Sequence, residues 1–142
     1  MVITKVELPS GYKPSENEEY MSEFQLEYFR NKLLGWKNEL LNNSQDTLRH
    51  LQEENWHESD INDRASIEIS AAFELRTRDR YRKLIDKIDS ALRKIETAEY
   101  GYCEETGDKI GISRLEARPI ATFSIEAQEG HENYERQHSD EE

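Results

Sequence analysis

One cysteine, Cys103, is the only thiol in this chain, which excludes an internal disulfide and the crosslinked framework typical of small secreted domains. No apolar run reaches the roughly 18 to 20 residues that a bilayer-spanning helix needs, and Met1 to Lys13 has no apolar signal core. Both absences point to the cytoplasm and away from a membrane. Apolar residues make up only 35% of the 142 and charged residues another 35%, too polar a mixture for one compact globule and better suited to an elongated molecule. Cationic charge is scarce as well: 19 Lys and Arg stand against 31 Asp and Glu, a formal net charge of -12. Sequence-independent affinity for duplex nucleic acid comes from cations that displace phosphate counterions, so direct nucleic-acid binding is not expected. A protein partner or a cationic ligand fits this balance better.

What the chain does contain is helical periodicity. Residues 1–19, with Pro9, Gly11, Pro14 and the run Ser15 to Glu19, read as a partly mobile N-terminal arm. From Tyr20 the pattern changes, and Leu26, Phe29, Leu33, Trp36 and Leu40 recur at 3, 4, 3, 4 spacing, an apolar seam on a helix. The register then slips by one residue to Leu41, Ser44, Leu48 and Leu51, where Asn42, Asn43 and Ser44 predict weak packing. A second seam opens with Ile69 and Phe73 and continues through Tyr81, Ile85, Ile88, Leu92 and Ile95. Two seams of similar length joined by a short polar turn bury each other by folding back antiparallel. The prediction is a mainly α fold: a long antiparallel coiled-coil hairpin over residues 20–98, each arm of about 30 residues and roughly 45 Å. Intramolecular pairing of the arms makes a monomer the expected state.

The turn of that hairpin, Asp60-Ile61-Asn62-Asp63-Arg64-Ala65, is acidic. Three readings are open for its carboxylates: helix caps that accept backbone N–H bonds, a pair that holds Mg²⁺ as in transcript-cleavage factors of the Gre class, or a binding tip. The second arm gathers Arg76, Arg78, Arg80, Arg82, Lys83, Lys87, Arg93 and Lys94, which reads either as a solvated helix flank or as a basic stripe that docks on an acidic groove.

Residues 99–137 read as a small globular domain: a hairpin of two short strands around Thr106-Gly107-Asp108, a turn at Ser113 and a C-terminal helix from about 122 to 137, followed by a tail at 138–142. Cys103-x2-Thr106, 17 residues, then Ser124-x2-Ala127 keeps the layout of a C-x2-C…C-x2-C zinc ribbon without its chemistry. A thiol, two hydroxyls and an alanine cannot hold zinc against water, so no metal is expected. Apolar packing by Tyr100, Tyr102, Ile110, Ile112, Leu115, Phe123 and Ile125 is expected to replace it.

The tip Asp60-x-x-Asp63-x-Ala65, the run Leu75-Arg76-Thr77-Arg78-Asp79-Arg80, and Tyr100-Gly101-Tyr102-Cys103 with Gly111 to Pro119 together resemble the DksA/TraR family of RNA polymerase-binding transcription factors, in its cysteine-poor, zinc-independent branch. The resemblance covers residues from about Glu19 to Ala127. It implies a non-enzymatic regulator that enters the secondary channel of bacterial RNA polymerase and destabilises open promoter complexes with the alarmone ppGpp. Such a protein represses ribosomal RNA promoters and activates amino-acid biosynthesis promoters. By position, the resemblance makes Asp60, Asp63 and Ala65 the tip residues and Arg80 a polymerase contact. It makes Lys87 and Arg118 part of the ppGpp site; a further basic residue of the family pattern is Gln128 here, which implies a weaker ppGpp response. A Gre-like cleavage enhancer and a structural coiled-coil module are the alternatives.

Overall fold

The computed structural model describes residues 6–58 and 64–139. Among them are four helices and no strand: α1 (Glu23–Glu58), α2 (Arg64–Glu96), α3 (Ile112–Ala117) and α4 (Ile125–Ser139). The chain divides into two compact units, one made of Met1–Leu33 with Ala91–Glu142 and the other of Leu34–Ser90.

The second unit is the helical hairpin. Its arms run antiparallel, and Lys37 Nζ reaches Asp89 Oδ1 across them at 2.7 Å. Leu40 and Ile88 are buried between the arms. The partly buried positions beyond Leu40 on α1 are Ser44, Thr47, Leu48 and Leu51. Leu41 is 42% exposed, so the expected slip of the seam onto Leu41 does not occur; a helix turning 100° per residue brings Leu40 and Ser44 onto one line without it. On α2, Tyr81, Ile85 and Ile88 face inward as expected, but Ile69 and Phe73 do not. Ser66, Ser70, Glu74 and Thr77 hold the partly buried positions there, and they continue the line of Tyr81 and Ile88 backwards at helical spacing.

The first unit carries the larger core. Phe29, Leu33, Ile95 and Leu115 are fully buried. Tyr100 packs its ring on Phe29 with centroids 5.6 Å apart and donates its hydroxyl to Pro119 O at 2.7 Å. Burial pushes the Tyr100 pKa far up, as expected for a phenol whose ionised form has lost water. Ile110, Ile112 and Ile120 complete the core. Three of the expected core residues stand elsewhere: Tyr102 and Ile125 are exposed and Phe123 is only half-buried. Tyr102 instead meets Tyr20 edge-on at 5.5 Å.

The hairpin at Thr106-Gly107-Asp108 forms, but its expected strands reduce to one antiparallel bridge, Tyr102 with Lys109. Gly107 donates to Cys103 O at 2.9 Å and Cys103 donates to Asp108 O at 2.7 Å, which closes a turn too tight to extend a ladder. Gly111, at φ 103°, then turns the chain into α3.

The entry to α1 is held by local polar chemistry. Ser22 Oγ accepts the Gln25 N–H at 3.3 Å, and Gln25 Oε1 accepts the Met21 N–H at 2.7 Å, a reciprocal arrangement akin to a capping box. The Gln25 side chain is fully buried, and its Nε2 donates to Ser15 O at 3.0 Å and Glu18 Oε2 at 3.2 Å. Tyr12 donates to the same Glu18 oxygen at 2.8 Å. Residues 12 to 22 are thereby tied to the first turn of α1. Tyr20 adds a longer tie, donating to Gly101 O at 2.6 Å and accepting the Gly111 N–H at 3.0 Å.

Two glycine substitutions test this packing in opposite directions. Gly101 has φ 93°, and a Cβ there would come within 2.8 Å of Met21 Cγ and Sδ. Gly101→Ala is expected to destabilise the chain by about 1–2 kcal/mol or more in urea unfolding. Gly35, inside α1 with nothing within 4 Å of an added Cβ, is expected to gain about 0.5–1 kcal/mol on replacement by Ala.

Candidate functional site

Arginines at 76, 78, 80 and 82 alternate along the chain, and a helix does not keep alternate residues together: two positions are about 200° apart. The basic residues of α2 therefore form two faces instead of the one stripe expected. Arg78 and Arg82 lie on one face and are occupied: Arg78 pairs with Glu74 at 2.8 Å and Arg82 with Asp79 at 2.7 Å. The other face carries Arg76, Arg80, Lys83 and Lys87, all exposed. Lys83 reaches Asp79 at 3.0 Å. Lys83 first and Arg82 second hold the Asp79 carboxyl below its ordinary range. Arg76, Arg80 and Lys87 have no ion-pair partner among the described residues. Exposed ion pairs contribute little to stability. The consequence of the pairing is for recognition, because it leaves one face of α2 with uncompensated positive charge in a chain of net -12.

Of the tip residues, Asp60 and Asp63 lie outside the described residues, and Ala65 is exposed in the first turn of α2. Arg118 is exposed at the C-terminus of α3, its backbone N–H given to Arg114 O at 2.8 Å. The residue two before it anchors that helix: Glu116 pairs with Lys32 of α1 at 3.3 Å, and its carboxylate, helped by burial, pushes the Tyr28 hydroxyl up to about 12. Lys87 belongs to one compact unit and Arg118 to the other. Gln128 is half-buried on α4 and bonds to Glu132 Oε1 at 3.2 Å.

The four positions of the zinc-ribbon layout do converge. Cys103 is only 3% exposed. Burial pushes its thiol up, yet the Thr106 hydroxyl and the nearby backbone N–H groups of Ser124, Thr106 and Glu105 favour the thiolate and bring the pKa from 9.0 down to about 6. Ser124 Oγ accepts the Ala127 N–H at 3.2 Å, and Ala127 and Thr106 line one shallow recess with Glu105, His131 and Tyr134. The backbone thus retains the shape of a four-ligand site. Its donors do not fit a zinc ion, since one thiol and two hydroxyls supply neither the charge nor the softness of a thiolate set. The backbone bond from Glu104 N–H to Thr122 O, at 2.9 Å, joins these segments instead.

Arg80, Lys87 and Arg118, singled out in the sequence, are all exposed, and the four positions of the emptied site lie together. Arg76, without an ion-pair partner among the described residues, was not distinguished in the sequence from the paired Arg78 and Arg82, although the even spacing of the arginines already placed them on different faces of a helix.

The chain matches two family descriptions, "DnaK suppressor protein DksA, N-terminal domain" over residues 25–95 and "Prokaryotic dksA/traR C4-type zinc finger" over residues 98–133. It is 60% identical over 131 residues to the RNA polymerase-binding transcription factor DksA of Caulobacter vibrioides (strain NA1000 / CB15N), which is 92% of each chain. The factor of the same name from Escherichia coli (strain K12) is 47% identical over 115 residues, 81% of this chain and 76% of that one. Among solved structures, transcription factor DksA2 from Pseudomonas aeruginosa has a TM-score of 0.68 at 38% identity, covering 84% of this chain and 94% of that chain.

The lowered thiol pKa predicts a pH dependence. A thiol whose pKa falls from 9.0 unfolded to about 6 folded stabilises the fold fully above the unfolded value and loses that contribution as pH falls through the folded one. The urea midpoint is expected to drop between pH 9 and pH 6, and Cys103→Ser is expected to flatten that part of the curve. An equal slope in both proteins would remove the thiolate from the account. Treatment with a strong chelator is expected to leave the thermal midpoint unchanged.

Proposed function

This chain belongs to the DksA family of RNA polymerase-binding transcription factors, which are regulators and not enzymes, and from that premise we propose that it binds bacterial RNA polymerase in the cytoplasm through the secondary channel, as a monomer, and destabilises open promoter complexes together with ppGpp. The observation that carries the reading is the exposed face of α2 on which Arg76, Arg80 and Lys87 lack ion-pair partners among the described residues. A channel walled by carboxylates attracts such a face over distances comparable with the Debye length and fixes its orientation on docking. The chain's other charges, mostly acidic, keep it from nucleic acid.

Binding alone does not alter a promoter complex. A ligand shifts an equilibrium only by its differential affinity for the two states, so the tip must interact differently with closed and open polymerase. Asp60 and Asp63 supply that difference in this reading, as carboxylates delivered near the active centre, while Ala65 permits close approach. Lys87 and Arg118 hold the phosphates of ppGpp against the polymerase surface, and the bound alarmone tightens the complex by mass action. Gln128 stands where the family pattern places another cation, so ppGpp is held with one charge fewer. Repression of ribosomal RNA promoters and activation of amino-acid biosynthesis promoters follow from the same shift applied to open complexes of different lifetimes.

In purified transcription, Asp63→Asn is expected to retain polymerase binding and lose repression of a ribosomal RNA promoter; full repression by the variant would remove Asp63 from the working tip. Gln128→Lys is expected to lower the ppGpp concentration for half-maximal effect by about tenfold, the worth of one hydrogen bond between charged partners. RNA shortening in a backtracked elongation complex would instead favour the cleavage-factor alternative.

A further inference from the structure

Ile69, Phe73, Arg76, Arg80, Lys83 and Lys87 follow one another at 4, 3, 4, 3, 4 spacing, so at 100° per residue they project within about 80° of one another. All six are exposed, Ile69 to 68% and Phe73 to 51%. Over the turns of α2 that carry Ile69 and Phe73, the partly buried positions are Ser66, Ser70, Glu74 and Thr77, before Tyr81, Leu84 and Ile85 restore an apolar inner face. This inverts ordinary amphipathicity, since the helix keeps polar side chains toward its neighbour and gives its large apolar ones to water.

A second exposed apolar pair, Ile67 and Leu75, lies on the far side of the helix, in line with Arg78 and Arg82. There the guanidinium groups are taken by Glu74 and Asp79. On the first stripe three cations without an ion pair among the described residues, Arg76, Arg80 and Lys87, follow the apolar pair, whereas beside Ile67 and Leu75 only Arg64 is left in that state. Apolar anchors beside complementary charge are the usual make-up of a surface that waits for a partner.

We infer that Ile69 and Phe73 are the apolar anchors of the α2 docking surface and that they enter an apolar slot on RNA polymerase whose outer approach carries carboxylates. The inference rests on the polymerase reading above and adds the residues that supply affinity. Charge argues for that occupant over a second copy of this chain, because a symmetric contact through this stripe would bring Arg76, Arg80 and Lys87 against their own copies.

The test is competition binding of the full chain to purified polymerase. Ile69→Ser with Phe73→Ser is expected to weaken binding by at least about tenfold, with helical circular dichroism and urea midpoint unchanged because neither side chain supports the core. Ile67→Ser with Leu75→Ser on the opposite stripe is expected to bind as wild type. Wild-type affinity of the first variant, or an equal loss in the second, would overturn the inference while leaving the polymerase reading intact. Loss of a wild-type dimer in the first variant, with polymerase affinity kept, would assign the patch to self-association and also overturn it. No binding by the wild-type chain would instead overturn the reading on which the inference rests.

Discussion

Tyr100 is the residue on which the first unit depends. Its ring lies against Phe29 of α1 and its hydroxyl closes on Pro119 O, so one side chain joins the first helix, the segment after the second and the connection from α3 to α4. The buried phenol has a single strong polar partner, and the ring fills the space between elements otherwise linked by the backbone bond from Glu104 N–H to Thr122 O at 2.9 Å. Buried tyrosines act this way when the hydroxyl is satisfied, because the ring then adds apolar burial without leaving an unpaired donor. Tyr20 repeats the device nearby with Gly101 and Gly111. Together the two tyrosines fasten a domain that has one irregular hairpin and no extended strand among the described residues.

Against this background the loss of a metal is understandable. In a zinc ribbon the ion links segments that could not otherwise stay together. Here the linking is divided between the tyrosines, a small aliphatic core of Ile110, Ile112, Leu115 and Ile120, and the backbone bond from Glu104 N–H to Thr122 O. The thiol remains where a ligand would stand, with the Thr106 hydroxyl and nearby backbone N–H groups favouring its thiolate. The family description of a C4-type zinc finger therefore applies to the backbone path and not to the coordination chemistry.

Much of this was legible in the residues. The spacing of Leu26, Phe29, Leu33 and Leu40 has one helical reading, and Ile88 and Ile95 match it on the partner. The emptied ligand layout was legible because the x2 and 17-residue spacings survive the loss of thiols. The inner seam near the tip was not. Ile69 and Phe73 are apolar and fall near helical spacing, so hydrophobicity placed them inside. In the structure the line set by Tyr81 and Ile88 puts Ser66, Ser70 and Thr77 there instead, and a one-position shift moves a side chain by 100°. Turn chemistry was likewise hard to see: Ala98 takes a positive φ of 62° at the end of α2, where glycine would have announced the stop. The division of arginines between paired and unpaired faces required knowing which carboxylates, Glu74 and Asp79, lie one turn away.

The polar inner seam has a consequence for motion. Where Ser66, Ser70 and Thr77 occupy the contact positions of α2, and Ser44 and Thr47 stand beside Leu48 and Leu51 on α1, less apolar area resists separation of the helices, and the free energy of local opening there is correspondingly smaller. Nearer Leu40 and Ile88 it is larger. Amide protons along α1 and α2 should accordingly exchange on graded timescales, slow beside the aliphatic pair and fast toward the turn. Each arm then combines a stiff grip beside Leu40 and Ile88 with a softer stretch along Ser44 and Ser70.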